Sequence, residues 1–204
     1  MNTHMERIIS SHPELEPCAA EITAAFGLMR DAFARGGKAL LCGNGGSAAD
    51  CEHWAAELLK GFERKRPLDA AARSLLPEAL AAGLQGALPA VALTGFVSLS
   101  SAFANDVNAA FIFAQLTWAL GRSGDVLIAI STSGSSANVC YALQAAGARG
   151  MKSIALTGGD GGRMAGMADV VVKVPGSRTC EIQELHLPVY HCICLMLEDE
   201  FFGE

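Results

Sequence analysis

The chain predicts an α/β fold: a three-layer sandwich with a five-stranded parallel sheet between helices, plus N-terminal helices. Three observations carry this. Five short apolar runs, Ala39–Cys42, Ala90–Leu93, Val126–Ile130, Ser153–Leu156 and Val170–Val174, alternate with segments of helical spacing. Apart from Ser153 and Lys173 the runs are continuously apolar, the pattern of parallel strands covered on both faces. The composition is 51% apolar and only 6% aromatic, which favours an alanine- and leucine-rich α/β protein over a β-sandwich.

Each element has its own justification. Residues 1–37 read as helices: after Pro17, a face of Ala20, Ile22, Ala24, Ala25, Phe26, Met29 and Phe33 repeats at helical spacing until Gly36-Gly37 ends it. This is the pattern of a packing or dimerisation helix. Between Arg66 and Pro89 lies an alanine-rich piece, with Pro77 able to begin a second helix and Gly83 and Gly86 loosening its end. It reads as a helical insertion over 68–86, and 204 residues suit one domain, 1–204, with a full core.

The bulk numbers exclude several functions. A net charge of −6 argues against nucleic acid or an acidic membrane as partner, because both need a basic surface. An anionic ligand must then be held by backbone dipoles and hydroxyls. The seven cysteines, at 18, 42, 51, 140, 180, 192 and 194, form no C-x-x-C pair and fall mostly in apolar contexts, as buried reduced thiols do. No signal-peptide pattern is visible, and no apolar run reaches the ~18 residues of a membrane span. A soluble cytoplasmic protein is expected.

Two loops carry the chemistry. After the first apolar run, Cys42–Glu57 reads CGNGGSAADCEHWAAE: a turn with Gly43, Gly45 and Gly46 leads into a helical pattern whose first N–H groups can meet an anion. On that helix His53 and Glu57 stand at i, i+4, so both side chains share a face and can act together on a ligand or metal. After the third run come Ser131-Thr132-Ser133-Gly134-Ser135-Ser136, then a helical run Ala137–Arg149. An N-cap needs one hydroxyl, and this loop has five, enough to cradle a phosphate. Gly43, Gly45 and Ala48 also satisfy G-x-G-x-x-[GA], but the second run ends in Thr94-Gly95-Phe96 with no carboxylate for a ribose, so a dinucleotide is disfavoured.

With these loops the chain resembles the phosphoheptose isomerases of the sugar isomerase (SIS) fold, a flavodoxin-like architecture. The resemblance rests on CGNGGSAAD (42–50), His53 with Glu57, Asn105-Asp106, GDVLIAISTSGSSANV (124–139), LTGGDGG (156–162) and EIQELH with His191, and it spans nearly all of the chain outside 68–86. It implies an aldose–ketose isomerase, an intramolecular oxidoreductase, that interconverts sedoheptulose 7-phosphate and D-glycero-D-manno-heptose 7-phosphate through an enediol. Implied for the phosphosugar are Asn44, Gly45, Gly46, Ser47, Ser131, Thr132, Ser133, Ser136 and Gln183. Implied for proton transfer are Glu57 as acid–base carboxylate, His191 as its partner, and Asp106. Some members bind zinc through positions matching His53, Glu57, Gln183 and His191, so one zinc per site is expected. A homotetramer with sites at subunit contacts is also implied.

The chemistry agrees: a carboxylate can shuttle a proton between adjacent carbons and an imidazole one between their oxygens. Gln183 and His191 are eight residues apart, ~12 Å along a regular helix, so one metal reaches both only if the helix begins near Gln183 or neighbouring subunits contribute. Pro188 suits a first helical turn. His186 reads as structural, and His4 and His12 as facing solvent. The match departs where the family has an arginine four residues after the site glutamate, here Gly61 with Lys60 and Arg64 nearby, and where it has an aspartate, here Phe96. The alternative is a non-catalytic phosphosugar-binding adaptor of the type that associates with a replication initiator. Such adaptors lack the histidine that this chain has at 191.

Overall fold

The computed structural model describes residues 3–203. Its five strands are β1 (Ala39–Gly43), β2 (Ala90–Ala92), β3 (Val126–Ile130), β4 (Lys152–Gly158) and β5 (Val170–Val174), all parallel in the order β2-β1-β3-β4-β5. Every predicted run is a strand. β4 is longer at both ends than its apolar stretch, because Lys152 pairs with Val126 and Gly158 with Val174.

Alternate strand residues serve opposite faces. Ala39, Leu41, Val126, Ile128 and Ile130 join one core with α1 (Thr3–Ser11), α2 (Ala19–Ala34), α3 (Gly46–Leu59) and α9 (Thr179–Phe202). Leu40, Cys42, Leu127 and Ala129 join the other with α7 (Ile112–Leu120) and α8 (Ala137–Ala148). This is why the runs are apolar without alternation. At the N-terminus, α1, a 3-10 turn at Pro13–Cys18 and α2 fill the predicted helical span, while residues 1 and 2 lie outside the described part. No helix among the described residues is long and apolar enough to cross a membrane. All seven cysteines are free thiols; six are buried and Cys180 is exposed.

Residues 68–86 hold two short helices, α4 (Ala70–Ser74) and α5 (Glu78–Gly83), neither with a buried residue. Pro77 precedes α5 as its N-cap. The excursion closes on itself through an antiparallel bridge between Pro67 and Gln85 and a 2.6 Å bond from Gly86 N–H to the Arg66 carbonyl. Chain can therefore be added here without disturbing either core.

A buried ion pair ties α3 to α9. Arg66 Nε donates to Glu198 Oε1 at 2.8 Å, and its other nitrogens donate to the carbonyls of Leu58 and Glu57, which satisfies the end of α3. Glu198 also accepts the N–H groups of Phe62, Glu63 and Arg64, each at 2.9 Å. Burial pushes the Glu198 carboxyl up, and these backbone donors with Arg66 outweigh it, holding it below the usual range.

α9 runs unbroken for 24 residues, with Pro188 in its interior rather than in its first turn. The missing N–H leaves the Glu184 carbonyl without its helical donor. His4 does not simply face solvent: its Nε2 stands 2.7 Å from Asp199 Oδ2, joining α1 to α9. His186 is fully buried, and burial takes its pKa down to about 4, so it is a neutral core histidine.

Candidate active site

The sheet order places the site. Strand order reverses between β1 and β3, and ligands in doubly wound sheets bind beyond the strand ends at such a point. Gly43 pairs with Ile130, so the loops after β1 and β3 leave the same edge side by side.

Backbone needs explain the glycines there. Gly45 lies at φ +56°, which side-chain-bearing residues rarely adopt, and a Cβ on Gly46 would run into the Gln183 amide. The turn thus delivers the first N–H groups of α3 to a cavity of about 270 Å³. Its walls are Asn44, Gly45, Gly46, Ser47, Ile130, Ser131, Thr132, Ser136, Thr179 and Gln183. Ser131 Oγ lies 3.0 Å from Ser136 Oγ, so a clustered hydroxyl donor set faces the α3 N-terminus. Ser133 is exposed and stands outside this wall, 3.4 Å from Ser131 Oγ. Asn44 and Asn138 exchange two amide bonds, at 3.0 and 2.8 Å, which locks the glycine turn to the start of α8. Asn138 and Thr179 are additions to the residues predicted from sequence. Asn138 could have been suspected from its place just after the hydroxyl loop, Thr179 only from the fold.

Gln183 also lines a second cavity, of about 450 Å³, together with Asp50, His53, Glu184, Cys180 and Tyr190. Below it, His53 Nε2 is 3.2 Å from Glu57 Oε1, as their spacing predicts. Glu57 is nearly buried, and its other oxygen accepts from Lys60 Nζ at 2.7 Å. Arg64, the other cation near the family's missing arginine, turns away to Asp199. At Gly61 itself the N–H donates to Gln85 Oε1 at 2.7 Å, and a Cβ would run into the backbone carbonyl of Arg64. An arginine at that position would displace the backbone around Arg64.

His191 packs edge-on to His53, with ring centroids 5.1 Å apart, and tilts against Phe62. Its Nε2 is buried with no hydrogen-bond partner among the described residues. Burial, and then the neighbouring His53, lower its pKa against an opposing pull from Glu57. The imidazole that meets Glu57 in this chain is His53. Asp106 sits on an exposed π-turn at Ala104–Asn108, accepts from Asn105 Nδ2 at 2.9 Å, and lines neither cavity. Phe96 is exposed at the start of α6 (Val97–Phe103), the helix that leads into this turn.

The donor types His53, Glu57, Gln183 and His191 suit zinc. Their arrangement in one chain does not close around it. Gln183 and His191 both lie within the unbroken α9, so the helix does not begin late enough to bring them together. Among the described residues no three His, Cys, Asp or Glu side chains are placed to hold one ion.

The SIS domain family profile matches residues 5–158. The phosphoheptose isomerase of Chromohalobacter salexigens is 44% identical, covering 89% of this chain and 84% of its own length. That of Alkalilimnicola ehrlichii is 41% identical over 97% of this chain and 93% of its own. Among solved structures, phosphoheptose isomerase GmhA from Neisseria gonorrhoeae superposes with a TM-score of 0.77 at 39% identity, covering 96% of this chain and 95% of that one. A phosphoheptose isomerase from Francisella tularensis gives 0.78 at 34%, covering 97% and 96%. The family match, the common fold and this level of identity over whole chains place it: the chain belongs to the SIS domain family and, within it, to the phosphoheptose isomerases.

Proposed function

We propose that the chain interconverts sedoheptulose 7-phosphate and D-glycero-D-manno-heptose 7-phosphate. The observation that carries this is the continuity of an anion cradle with a proton-transfer pair, joined at Gln183. The phosphate sits among Gly45, Gly46, Ser47, Ser131, Thr132 and Ser136, where α3 and the hydroxyls supply donors without a formal cation. That agrees with a chain of net charge −6.

The Glu57 carboxylate takes a proton from C1 of the ketose as a C1=C2 bond forms and the carbonyl electrons move to O2. O2 is protonated, giving the enediol. O1 then loses its hydrogen as C1=O forms, and the proton held by Glu57 goes to C2, giving the aldose. Atoms and electrons balance with no added oxidant. His53, beside Glu57, exchanges the oxygen-bound protons. Lys60 Nζ bonds the second Glu57 oxygen at 2.7 Å and so fixes the carboxylate in place beside His53.

Zinc and a homotetramer belong to the same proposal. The open donor set and the exposed apolar side chains Val97, Val107 and Phe111, on the stretch that carries Asp106, support sites completed by neighbouring subunits. His53, Glu57, Gln183 and His191, drawn from neighbouring subunits, would hold the zinc, which would supply Lewis-acid polarisation of the carbonyl; no step above is routed through it. Elemental analysis of the purified chain is expected to give one zinc per subunit, lowered by His53→Ala. A cytoplasmic location goes with the substrate. The adaptor alternative is not favoured, since the chain keeps the His53–Glu57 pair and His191.

The deciding experiment is NMR of sedoheptulose 7-phosphate with the purified chain in deuterated water. Aldose carrying deuterium at C2 is expected, from exchange of the proton on Glu57 with solvent before it reaches C2. Binding without turnover would overturn the reading.

A further inference from the structure

The segment LTGGDGG (156–162) has no part in the steps above, and none of residues 159–163 lines the phosphate cavity. Yet this stretch, the end of β4 and the loop after it, is bonded along the hydroxyl loop. Ser131 N–H donates to the Leu156 carbonyl at 3.0 Å, and Gly158 N–H to the Thr132 carbonyl at 3.2 Å. Met164 N–H donates to the Gly134 carbonyl at 2.9 Å, and Arg163 N–H to Ser135 Oγ at 3.3 Å. Two glycines let the backbones touch. Gly134 lies at φ +61°, and a Cβ there would strike the Gly161 carbonyl. Gly162 lies at φ +52°, and a Cβ there would strike the Ser133 carbonyl and Ser135 Oγ. Asp160 Oδ1 accepts from Gly162 N–H at 2.8 Å, a local turn that holds Gly162 in this approach. Beyond the paired strands, the glycine turn on the opposite wall is hydrogen-bonded to this side, among the described residues, through Asn44 and Asn138 alone.

Resting on the phosphosugar reading, we propose that Asp160 and Gly162 are positioning residues for the phosphate, fixing from behind where the Ser131 and Ser136 hydroxyls stand. An anion held by N–H groups and short hydroxyls needs them to converge, because each donor acts only at hydrogen-bond distance. A serine cannot follow a displaced ligand as a long lysine can. The placement of its backbone is therefore the placement of its donor. The loop after β4 supplies that placement by backbone contact, with no side chain between the two loops at Gly134 and Gly162.

The test is calorimetry of the full chain with inorganic phosphate and with sedoheptulose 7-phosphate, beside turnover of the sugar. Gly162→Ala is expected to weaken both ligands by about 10-fold or more, since a misplacement of about 1 Å can cost still more. Its kcat at saturating sugar is expected to stay within about threefold, the pattern of lost uniform binding. Asp160→Ala frees the Gly162 N–H and should weaken both ligands about fivefold, whereas Asp160→Asn keeps the accepting oxygen and should stay within about twofold. If Asp160 acted only through its charge, both variants would instead tighten phosphate binding. Unchanged affinity in Gly162→Ala, equal effects of the two Asp160 variants, or a loss of kcat as large as the loss of affinity would overturn the proposal. If Gly162→Ala does not fold, the Asp160 pair decides. Absence of phosphate binding in the unsubstituted chain would overturn it as well. Phosphate binding that follows the expected order, with no turnover of sugar by the unsubstituted chain, would count against the isomerase reading and support the positioning role.

Discussion

The phosphate end and the proton-transfer end of the site are built in opposite ways. The first is made by two loops that leave adjacent strands in register, and its donors are backbone N–H groups and short hydroxyls. The second is made by long side chains on two helices, α3 and α9, held by contacts far apart in sequence, such as Tyr190 with His53. The cradle is assembled within one chain. The other end leaves His191 Nε2 with no hydrogen-bond partner among the described residues and Asp106 on an outer turn. Binding is thus a property of strand register, while catalysis depends on how helices, and in our proposal subunits, come together.

That contrast can be broken by substitution. The largest effect is expected for Glu57→Gln: turnover should fall by about 10²- to 10⁴-fold, the range for losing a general acid–base, while phosphosugar binding measured by calorimetry persists. Comparable losses of binding and turnover would erase the division. Next, Ser131→Ala with Ser136→Ala should weaken phosphosugar binding about 10²-fold or more, since each of the two hydrogen bonds to a charged group contributes about 1.5 kcal/mol or more. Ser133→Ala, outside the cavity wall, should leave titrations unchanged and serves as the control. Dilution sharpens the comparison further: if neighbours complete the catalytic end, specific activity should drop as subunits dissociate, at a concentration where phosphosugar still binds. The smallest effect is expected for Gln85→Ala, which frees the Gly61 N–H in a partly exposed place and should lower stability by about 1 kcal/mol in urea unfolding.

The same division governs what could be read in advance. The five strands were legible because each holds a short apolar run, interrupted only by Lys173 in β5 and flanked by Lys152, Ser153 and Thr157 in β4, and the cradle because its residues are contiguous and sit where runs end. His53 with Glu57 was legible because helical spacing alone brings them together. Tyr190 was not, since its partners lie on another helix and nothing local marks it. Ser133 shares the composition of the hydroxyl loop but not its direction, and composition carries no direction. Lys60 stood out only as a charge near a missing arginine; its bond to Glu57 depends on the path of the chain after α3, which Arg66 and Glu198 hold.

The excursion at 68–86 has a practical side. Its two ends return to a single bridge, and its helices contribute nothing to either core, so the turn around Leu75 and Leu76 is a natural splice point for foreign sequence. A peptide tag or a small reporter domain grafted there would be carried on a short stalk. Because Gln85 at the stalk's base grips Gly61, one residue beyond Lys60, strain in the graft would be felt first at the carboxylate of Glu57. The same handle that tolerates cargo would then report on it through the rate of proton transfer.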